Sequence, residues 1–284
     1  MKAKKPETAA FQGERGAFSE QAARQLLGED VRVQPCTRFE DMFRSLVEKR
    51  VDTAVVPIEN TLHGSVHENY DHLQHFRVVI VGETRVRIVH NLIAPPGVTM
   101  KKIRRVYSHP VALNQCLHFF ADHPEFEKQV FYDTAGSVKM VMEEGLKDAA
   151  AIASAGAAGI YGARILKRSI EDDRENYTRF FLLRRPDDPR AVLKPSSKVI
   201  WKTSLVFTTR NIPGSLFRCL SAFALRDLNL TKIESRPLRG KAWEYLFYLD
   251  FHGHAEDAVT RNALSHLTEL ADWRLLGSYP QSPL

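Results

Sequence analysis

A chain of 284 residues is long enough for one large domain or two modest ones with a sizeable buried core. Its formal net charge of +6 is spread along the sequence, and the one basic cluster, Lys2–Lys5, lies at the N-terminus. This distribution argues against a nucleic-acid-binding face. A modest excess of cations is equally compatible with small anionic ligands.

The three cysteines, Cys36, Cys116 and Cys219, lie far apart and lack a paired spacing. They predict free thiols in a reducing compartment rather than a disulfide framework or a zinc site. The first residues lack the apolar segment of a signal peptide, and no apolar run reaches membrane-spanning length. We therefore expect a cytoplasmic protein without membrane or nucleic-acid partners.

The N-terminal part predicts a strand, a glycine loop and a helix. Thr8–Gln12 is the strand, Gly13–Gly16 the loop, and Ser19 opens the helix. A helix N-terminus after such a loop can bind an anion through free backbone N–H groups, although the arrangement is common. Ser19 is either the N-cap of this helix or a ligand contact.

A buried strand, Thr53–Asn60, follows and carries Glu59 and Asn60 at its carboxyl end, which in open α/β sheets faces the ligand crevice. The helix after it has His67, Asp71 and His75 on one face, and His63 lies one turn earlier. A metal site needs further ligands, which the sequence does not supply nearby, so we predict no metal.

A similar α/β pattern begins again after Pro95–Gly97. Ser108–Pro110 is predicted to be a turn, Val111–Phe120 a helix carrying Gln115, and Asp133-Thr134 the start of another helix. Two such lobes, each directing helix N-termini to a shared cleft, resemble a clamshell of the periplasmic-binding-protein-like type (type II).

The five residues Asn176–Phe180 return the chain to the first lobe. Thr178 and Arg179 stand between an acidic polar run and the apolar stretch Phe181–Leu183. A hydroxyl proton donor and an anion clamp would suit this position, because loops carry chemistry and a rigid element positions them. The alternative is an ordinary strand entry in which Arg179 pairs with the acids at positions 171–173.

The segment Arg184–Lys198, rich in proline and charge, predicts a domain boundary. After it the pattern is β-α-β-β-α-β, with Arg239–Lys241 as a hairpin tip and Trp243–Phe251 as a strand. We therefore predict a ferredoxin-like module at the C-terminal end.

Seven motifs, in order, resemble the monofunctional prephenate dehydratases and the related arogenate dehydratases over essentially the whole chain. They are Phe11–Gly13 with Gly16–Ser19, Pro57–Asn60 with Gly64-Ser65, Ser108–Pro110 with Gln115, Asp133-Thr134, Thr178–Phe180, Asn211–Gly214, and Asn229–Pro237. The last two belong to a module that looks like an ACT domain. The sequence shows no chorismate mutase segment before the first strand, which predicts the monofunctional form.

The resemblance implies an α/β catalytic domain at 8–185, a linker at 186–200 and a regulatory ACT domain at 201–280. The catalytic domain would consist of two lobes, 8–82 with 165–185, and 83–164. The implied enzyme is a carbon–oxygen lyase of L-phenylalanine biosynthesis that converts prephenate to phenylpyruvate without a cofactor. Its effector would be L-phenylalanine, and its assembly a homodimer or homotetramer formed through the ACT domain.

The resemblance also implies roles for individual residues. The catalytic set is Thr178, Asn60, Ser108 and Gln115, and the substrate-binding set is Ser19, Thr134, Arg179 and Phe180. The phenylalanine-binding set is Asn211, Pro213, Gly214, Ser215, Leu216, Glu234, Ser235, Arg236 and Pro237.

Two positions depart from the family pattern. Ser215 replaces the usual alanine before the regulatory helix, and because serine caps helices well we expect phenylalanine binding to persist. His63 stands where the family often has a small residue, which changes the shape of the cleft.

Two other functions stay open at this point. The enzyme could prefer arogenate and make phenylalanine directly, as the segment Gly64–Asp71 weakly suggests. Alternatively, the chain could be a non-catalytic amino-acid sensor, against which the intact Thr178 argues.

Overall fold

The computed structural model describes residues 6–238, 240–241 and 244–283. The chain divides into two compact units. The first contains the residues up to His72 together with Arg85–Phe180, and the second contains Leu73–Thr84 together with the residues from Phe181 onward. The domain limits expected from the sequence, 8–185, 186–200 and 201–280, stay predictions.

The described part of the chain contains strands and helices in alternation over most of its length. The strands are β1 (Thr8–Gln12), β2 (Arg32–Cys36), β3 (Thr53–Asn60), β4 (Gly64–Ser65), β5 (Val79–Arg87), β6 (Asn91–Ala94), β7 (Arg105–Ser108), β8 (Glu127–Val130), β9 (Ala149–Ala153), β10 (Arg164–Lys167), β11 (Tyr177–Arg184), β12 (Trp201–Thr208), β13 (Leu230–Pro237), β14 (Tyr245–His252) and β15 (Asp272–Pro280). The α-helices are α1 (Phe18–Leu27), α2 (Phe39–Val47), α3 (His67–His75), α4 (Pro110–Asn114), α5 (Leu117–Ala121), α6 (Thr134–Glu143), α7 (Ala155–Ile160), α8 (Ser215–Ala224) and α9 (Ala258–Leu270). Short 3₁₀ turns lie at Met100–Lys102 and Pro189–Ala191.

A six-stranded sheet has the order β2-β1-β3-β11-β5, with β4 paired to β3. Strand β1 pairs in parallel with both β2 and β3. The apolar runs Ala9–Phe11 and Ala54–Val56 are fully buried, as expected of parallel strands covered on both faces. Strand β3 therefore delivers Asn60 to the carboxyl end of the sheet.

The second sheet of the first unit has the order β10-β6-β9-β7-β8. Its middle strand, β9, consists of Ala149, Ala150, Ala151, Ile152 and Ala153, which are all buried. Small side chains leave room for α6, whose Val138 and Val141 belong to the same apolar cluster as Ala149 and Ala151. This packing fixes where the N-terminus of α6 lies.

The second unit is built on an antiparallel sheet with the order β13-β14-β12-β15. Helices α8 and α9 pack on it through a cluster that includes Phe207, Phe223, Phe251 and Leu267. This β-α-β-β-α-β arrangement confirms the ferredoxin-like pattern predicted from the sequence.

Some predicted elements differ from the observed ones. The helix expected at 111–120 is two short helices, α4 and α5, separated at Gln115-Cys116. Strand β10 has no counterpart in the prediction. The predicted hairpin tip includes Arg239, and the predicted strand starts at Trp243; both residues lie outside the described part. The sequence also predicts a disordered N-terminal tail at 1–8, of which residues 1–5 lie outside the described part.

In the described part of the chain, no helix is long and apolar enough to cross a membrane.

Candidate functional site

A cavity of about 440 Å³ lies within the first unit. Loops and helix ends that belong to both sheets of this unit line it. Its polar lining includes four residues predicted to act in the site: Asn60, Gln115, Thr134 and Thr178. The other lining residues are Gln12, Phe18, Phe39, His63, Gly64, Ser65, Val66, Ile88, His90, His109, Val111, Ala112, Tyr132 and Asp133. The volume suits a small metabolite.

The hydroxyl of Thr178 is held by the amide of Asn60. Asn60 Nδ2 donates to Thr178 Oγ1 at 3.0 Å, to the Tyr177 carbonyl at 3.1 Å and to Asn176 Oδ1 at 2.7 Å. Asn60 Oδ1 accepts the backbone N–H groups of Leu62 and His63, both at 3.0 Å. Because those two donors fix the amide's orientation, Thr178 Oγ1 is an acceptor towards Asn60 and keeps its own proton available to donate.

A second polar chain crosses the cavity wall. His90 Nε2 lies 2.7 Å from Gln115 Oε1, and Gln115 Nε2 lies 3.1 Å from His63 Nδ1. Gln115 occupies the break between α4 and α5, where it follows Asn114 as the C-cap of α4. The break that separates the predicted single helix thus places this amide between the two imidazoles.

His90 is 2% exposed, and burial lowers its pKa, although the Gln115 hydrogen bond and Glu171 oppose this shift. Glu171 Oε2 accepts the backbone N–H of His90 at 2.9 Å rather than contacting the ring. His90 Nδ1 is buried without a hydrogen-bond partner. The ring is therefore neutral near pH 7.

The N-terminus of α6 forms another part of the wall. Asp133 caps this helix by accepting the Gly136 N–H at 2.7 Å, and Thr134 is the first helical residue. Burial raises the pKa of Asp133 and lowers that of His109. Burial, together with the hydrogen bond to Glu14, raises the pKa of Tyr132 to about 12. Tyr132 and His109 are thus neutral, and the helix terminus favours an anion.

The structure does not bring four predicted residues to this cavity. Ser108 is fully buried, and its Oγ donates to the Ile152 carbonyl at 2.6 Å. Ser19 lies inside α1, whose N-cap is Ala17 without a side-chain cap, so the N-cap prediction for Ser19 is wrong.

Arg179 and Phe180 are the other two. Arg179 is 5% exposed, and its guanidinium pairs with Glu59 Oε1 at 3.2 Å, not with the acids at 171–173 as in the alternative interpretation. Consecutive side chains point to opposite faces of a strand, so Arg179 points away from the cavity that the preceding residue, Thr178, lines. Phe180 is 2% exposed and belongs to the core.

Sequence reasoning missed Phe18, His90, His109 and Tyr132. Phe18 and His109 lie inside motifs and Tyr132 directly adjoins one, so considering every motif residue together with its neighbours would have found them. His90 had no such signal, because it neither belongs to nor adjoins any of the seven motifs. Among the described residues, no three His, Cys, Asp or Glu side chains are grouped to hold a metal ion.

The second unit has a cavity of about 580 Å³ whose lining includes Asn211 and Ser215 of the predicted phenylalanine-binding set. Gly214 precedes Ser215, has φ +78 and is the N-cap of α8. Ser215 is therefore the first helical residue and not the cap expected from the sequence. Glu234, Ser235, Arg236 and Pro237 lie on the edge strand β13 and do not line this cavity.

Comparisons with known proteins bear on both units. The family model for prephenate dehydratase matches residues 9–188. A relative from Arabidopsis thaliana, named arogenate dehydratase/prephenate dehydratase 2, chloroplastic, is 45% identical over 95% of this chain and 72% of its own length.

Two solved structures share the fold over nearly the whole chain. A prephenate dehydratase from Arthrobacter aurescens in complex with L-Phe is 33% identical, with a TM-score of 0.87 over 96% of this chain and 90% of that one. GqqA, described as a novel type of quorum quenching acylase, is 35% identical, with a TM-score of 0.89 over 97% and 98%. The fold class expected from the sequence is confirmed, and the chain belongs to the prephenate dehydratase family.

Proposed function

We propose that the protein is a prephenate dehydratase that converts prephenate to phenylpyruvate, carbon dioxide and water. The observation that carries this proposal is the Thr178 hydroxyl on the wall of the cavity, with Asn60 donating to its oxygen at 3.0 Å. A hydroxyl that already accepts a hydrogen bond directs its own proton elsewhere. That proton can go to the ring hydroxyl of the substrate.

The reaction needs little beyond this proton and a fixed pose. The bond from the ring to the departing carboxylate breaks, and its electron pair enters the ring as the ring becomes aromatic. The carbon–oxygen bond to the ring hydroxyl breaks, and the hydroxyl leaves as water with the proton from Thr178, which regains a proton from solvent. General acid catalysis of this kind contributes about 10²- to 10⁴-fold.

The remaining lining supports the substrate without opposing decarboxylation. Asn60, Gln115 and the buried His90 are neutral, so they stabilise no extra negative charge on the carboxylate that must leave. The N-terminus of α6 at Thr134 is suited to the side-chain carboxylate that remains on the product.

Arogenate dehydration is the second candidate, because the similar plant proteins carry arogenate dehydratase in their names. The two substrates differ only in the side chain, which is a keto acid in prephenate and an amino acid in arogenate. The ring chemistry at Thr178 is the same for both.

The test is a side-by-side assay of the purified protein at neutral pH with prephenate and with arogenate, followed by chromatography of phenylpyruvate and phenylalanine. We expect turnover of prephenate well above its spontaneous rate and a lower kcat/KM for arogenate. An N-acylated amine serves as a third substrate, because one similar structure is described as an acylase. Hydrolysis of that amide without dehydration of either ring substrate would overturn the proposal.

We also propose that L-phenylalanine regulates the enzyme by binding to the second unit. The similar Arthrobacter aurescens enzyme was solved with L-Phe, and the cavity at Asn211 and Ser215 has room for an amino acid.

The protein would assemble as a homodimer or homotetramer through this module, and it would act in the cytoplasm, as expected from the sequence. Regulation by phenylalanine would be supported if phenylalanine inhibits the wild type but not Gly214→Val. A wild-type protein that neither binds phenylalanine nor is inhibited by it would contradict this regulation.

A further inference from the structure

His63 is the one polar side chain at the cavity that sequence reasoning singled out without assigning it a task. It is exposed, lines the cavity, and its Nδ1 lies 3.1 Å from Gln115 Nε2. Gln115 in turn lies 2.7 Å from the buried His90. The three side chains form a continuous hydrogen-bonded chain whose direction decides which proton His63 presents.

The direction follows from the buried end. His90 Nδ1 is buried without a partner, and an orphaned N–H at that atom would be more costly than an orphaned acceptor. The hydrogen of His90 is therefore on Nε2, which donates to Gln115 Oε1. Gln115 must then donate from Nε2 to His63 Nδ1, which accepts.

An imidazole whose Nδ1 accepts a hydrogen bond carries its hydrogen on Nε2 when neutral. His63 thus presents an N–H donor from the nitrogen that Gln115 does not engage. A donor here suits a carbonyl oxygen and does not suit an ammonium group, which offers only donors of its own.

We infer that His63 selects the substrate's side chain, favouring the 2-keto acid of prephenate over the 2-ammonium acid of arogenate. The inference rests on the proposed function, because it concerns which of two dehydration substrates the same cavity accepts. Gln115 and His90 act in it as positioning residues that set the tautomer of His63.

The test compares His63→Ala with the wild type on both substrates. We expect the ratio of kcat/KM for prephenate to that for arogenate to fall at least about tenfold, which corresponds to about 1.4 kcal/mol of discrimination. The loss should come mainly from a higher KM for prephenate. The matched control is His67→Ala, four residues further on and not part of the cavity lining, which should leave the ratio unchanged.

A second measurement reads the tautomer directly. Nitrogen-15 NMR of the imidazole rings should show His63 protonated on Nε2 in the wild type. In Gln115→Glu, whose carboxylate can only accept, the hydrogen of His63 should move to Nδ1. This readout does not depend on turnover.

The outcomes separate the two claims. If neither ring substrate is dehydrated by the wild type, the proposed function fails. If both are dehydrated but His63→Ala leaves their ratio unchanged, or if the wild-type ring is protonated on Nδ1, the inference about His63 is overturned while the proposed function stands.

Discussion

The hydroxyl of Thr178 is positioned by a side chain from a different strand. Asn60 ends β3, whereas Thr178 is the second residue of β11, and the amide between them also binds Asn176 and the Tyr177 carbonyl. A weak acid such as threonine depends on such positioning, because its own acidity supplies little of the driving force.

Removing the hydroxyl tests this role. Thr178→Val keeps the shape and β-propensity of threonine but has no proton to donate. We expect kcat on prephenate to fall by about 10²- to 10⁴-fold with little change in thermal stability. Thr178→Ser, which restores the hydroxyl, should recover most of the rate. A Thr178→Val enzyme with near-normal kcat would show that the proton comes from another group.

Glu20 gives a prediction about pH. Burial opposes its ionisation, but the Gly16 N–H at 2.9 Å and Arg24 at 2.7 Å outweigh it and hold its pKa below its ordinary value of 4.5. Because the folded pKa is depressed, the stabilisation is present above about pH 4.5 and is lost as the pH falls through the folded value.

We therefore expect Glu20→Gln to be less stable than the wild type in urea titrations at pH 7, with the difference narrowing as the pH drops below 4.5. Glu40→Gln is the control, because Glu40 forms an exposed helix pair with Arg44 that should contribute little. A stability difference for Glu20→Gln that stayed constant with pH would contradict the assignment.

At the scale of elements, the loop before α1 is locked against α7. Ser154 Oγ donates to the Gly16 carbonyl at 2.6 Å, and a Cβ at Gly16 would lie 2.5 Å from Ala157 Cα. Gly16 also has φ +86, a conformation that glycine adopts without strain. The contact places Phe18, two residues later, on the cavity wall.

Gly16→Ala should therefore lower the free energy of unfolding for two reasons. Backbone strain costs about 1–3 kcal/mol and overpacking against α7 a further 1–3 kcal/mol or so. Gly28→Ala is a matched control, because Gly28 has φ +91 but a Cβ there would meet nothing within 4 Å. Chemical unfolding should show a clearly larger loss for Gly16→Ala, and equal losses would mean that the contact with α7 yields at little cost.

The same scale shows what the sequence could predict. The apolar stripe of Phe39, Met42, Phe43, Leu46 and Val47 predicts a helix at 39–48, and α2 spans Phe39–Val47, because this periodicity reflects a single buried face. The break at Gln115 was missed, since Val111–Phe120 keeps helical spacing across it. Ser108 and Arg179 matched motifs, yet strand alternation and tertiary partners, which one sequence does not reveal, direct their side chains away from the cavity.

At the scale of the whole molecule, the second unit depends on a segment that is separated in sequence from the rest of the unit by residues 85–180. Leu73–Thr84 belongs to this unit, and within it Glu83 accepts from Lys202 Nζ at 3.1 Å and from the Ser282 N–H at 3.2 Å. A Cβ at Gly277 would collide with the carbonyl oxygen of Ile80. Strands β5 and β11 each contribute residues to both units, so the division between the units runs through these two strands. The proline-rich segment at 184–198, from which the sequence predicts a boundary, lies within the second unit.

The buried pair of Lys202 and Glu83 tests this dependence. Both residues are at most 5% exposed, so Lys202→Met leaves the carboxylate of Glu83 buried without this cation, at an expected cost of about 3–5 kcal/mol. Adding Glu83→Gln should recover much of the loss, because the glutamine is neutral and still accepts from the Ser282 N–H. Lys241→Met, which breaks the exposed pair with Glu244, should cost less than about 1 kcal/mol. Unfolding free energies from a double-mutant cycle measure the coupling, and a Lys202→Met loss no larger than that of Lys241→Met would mean that the segment 73–84 contributes little to the second unit.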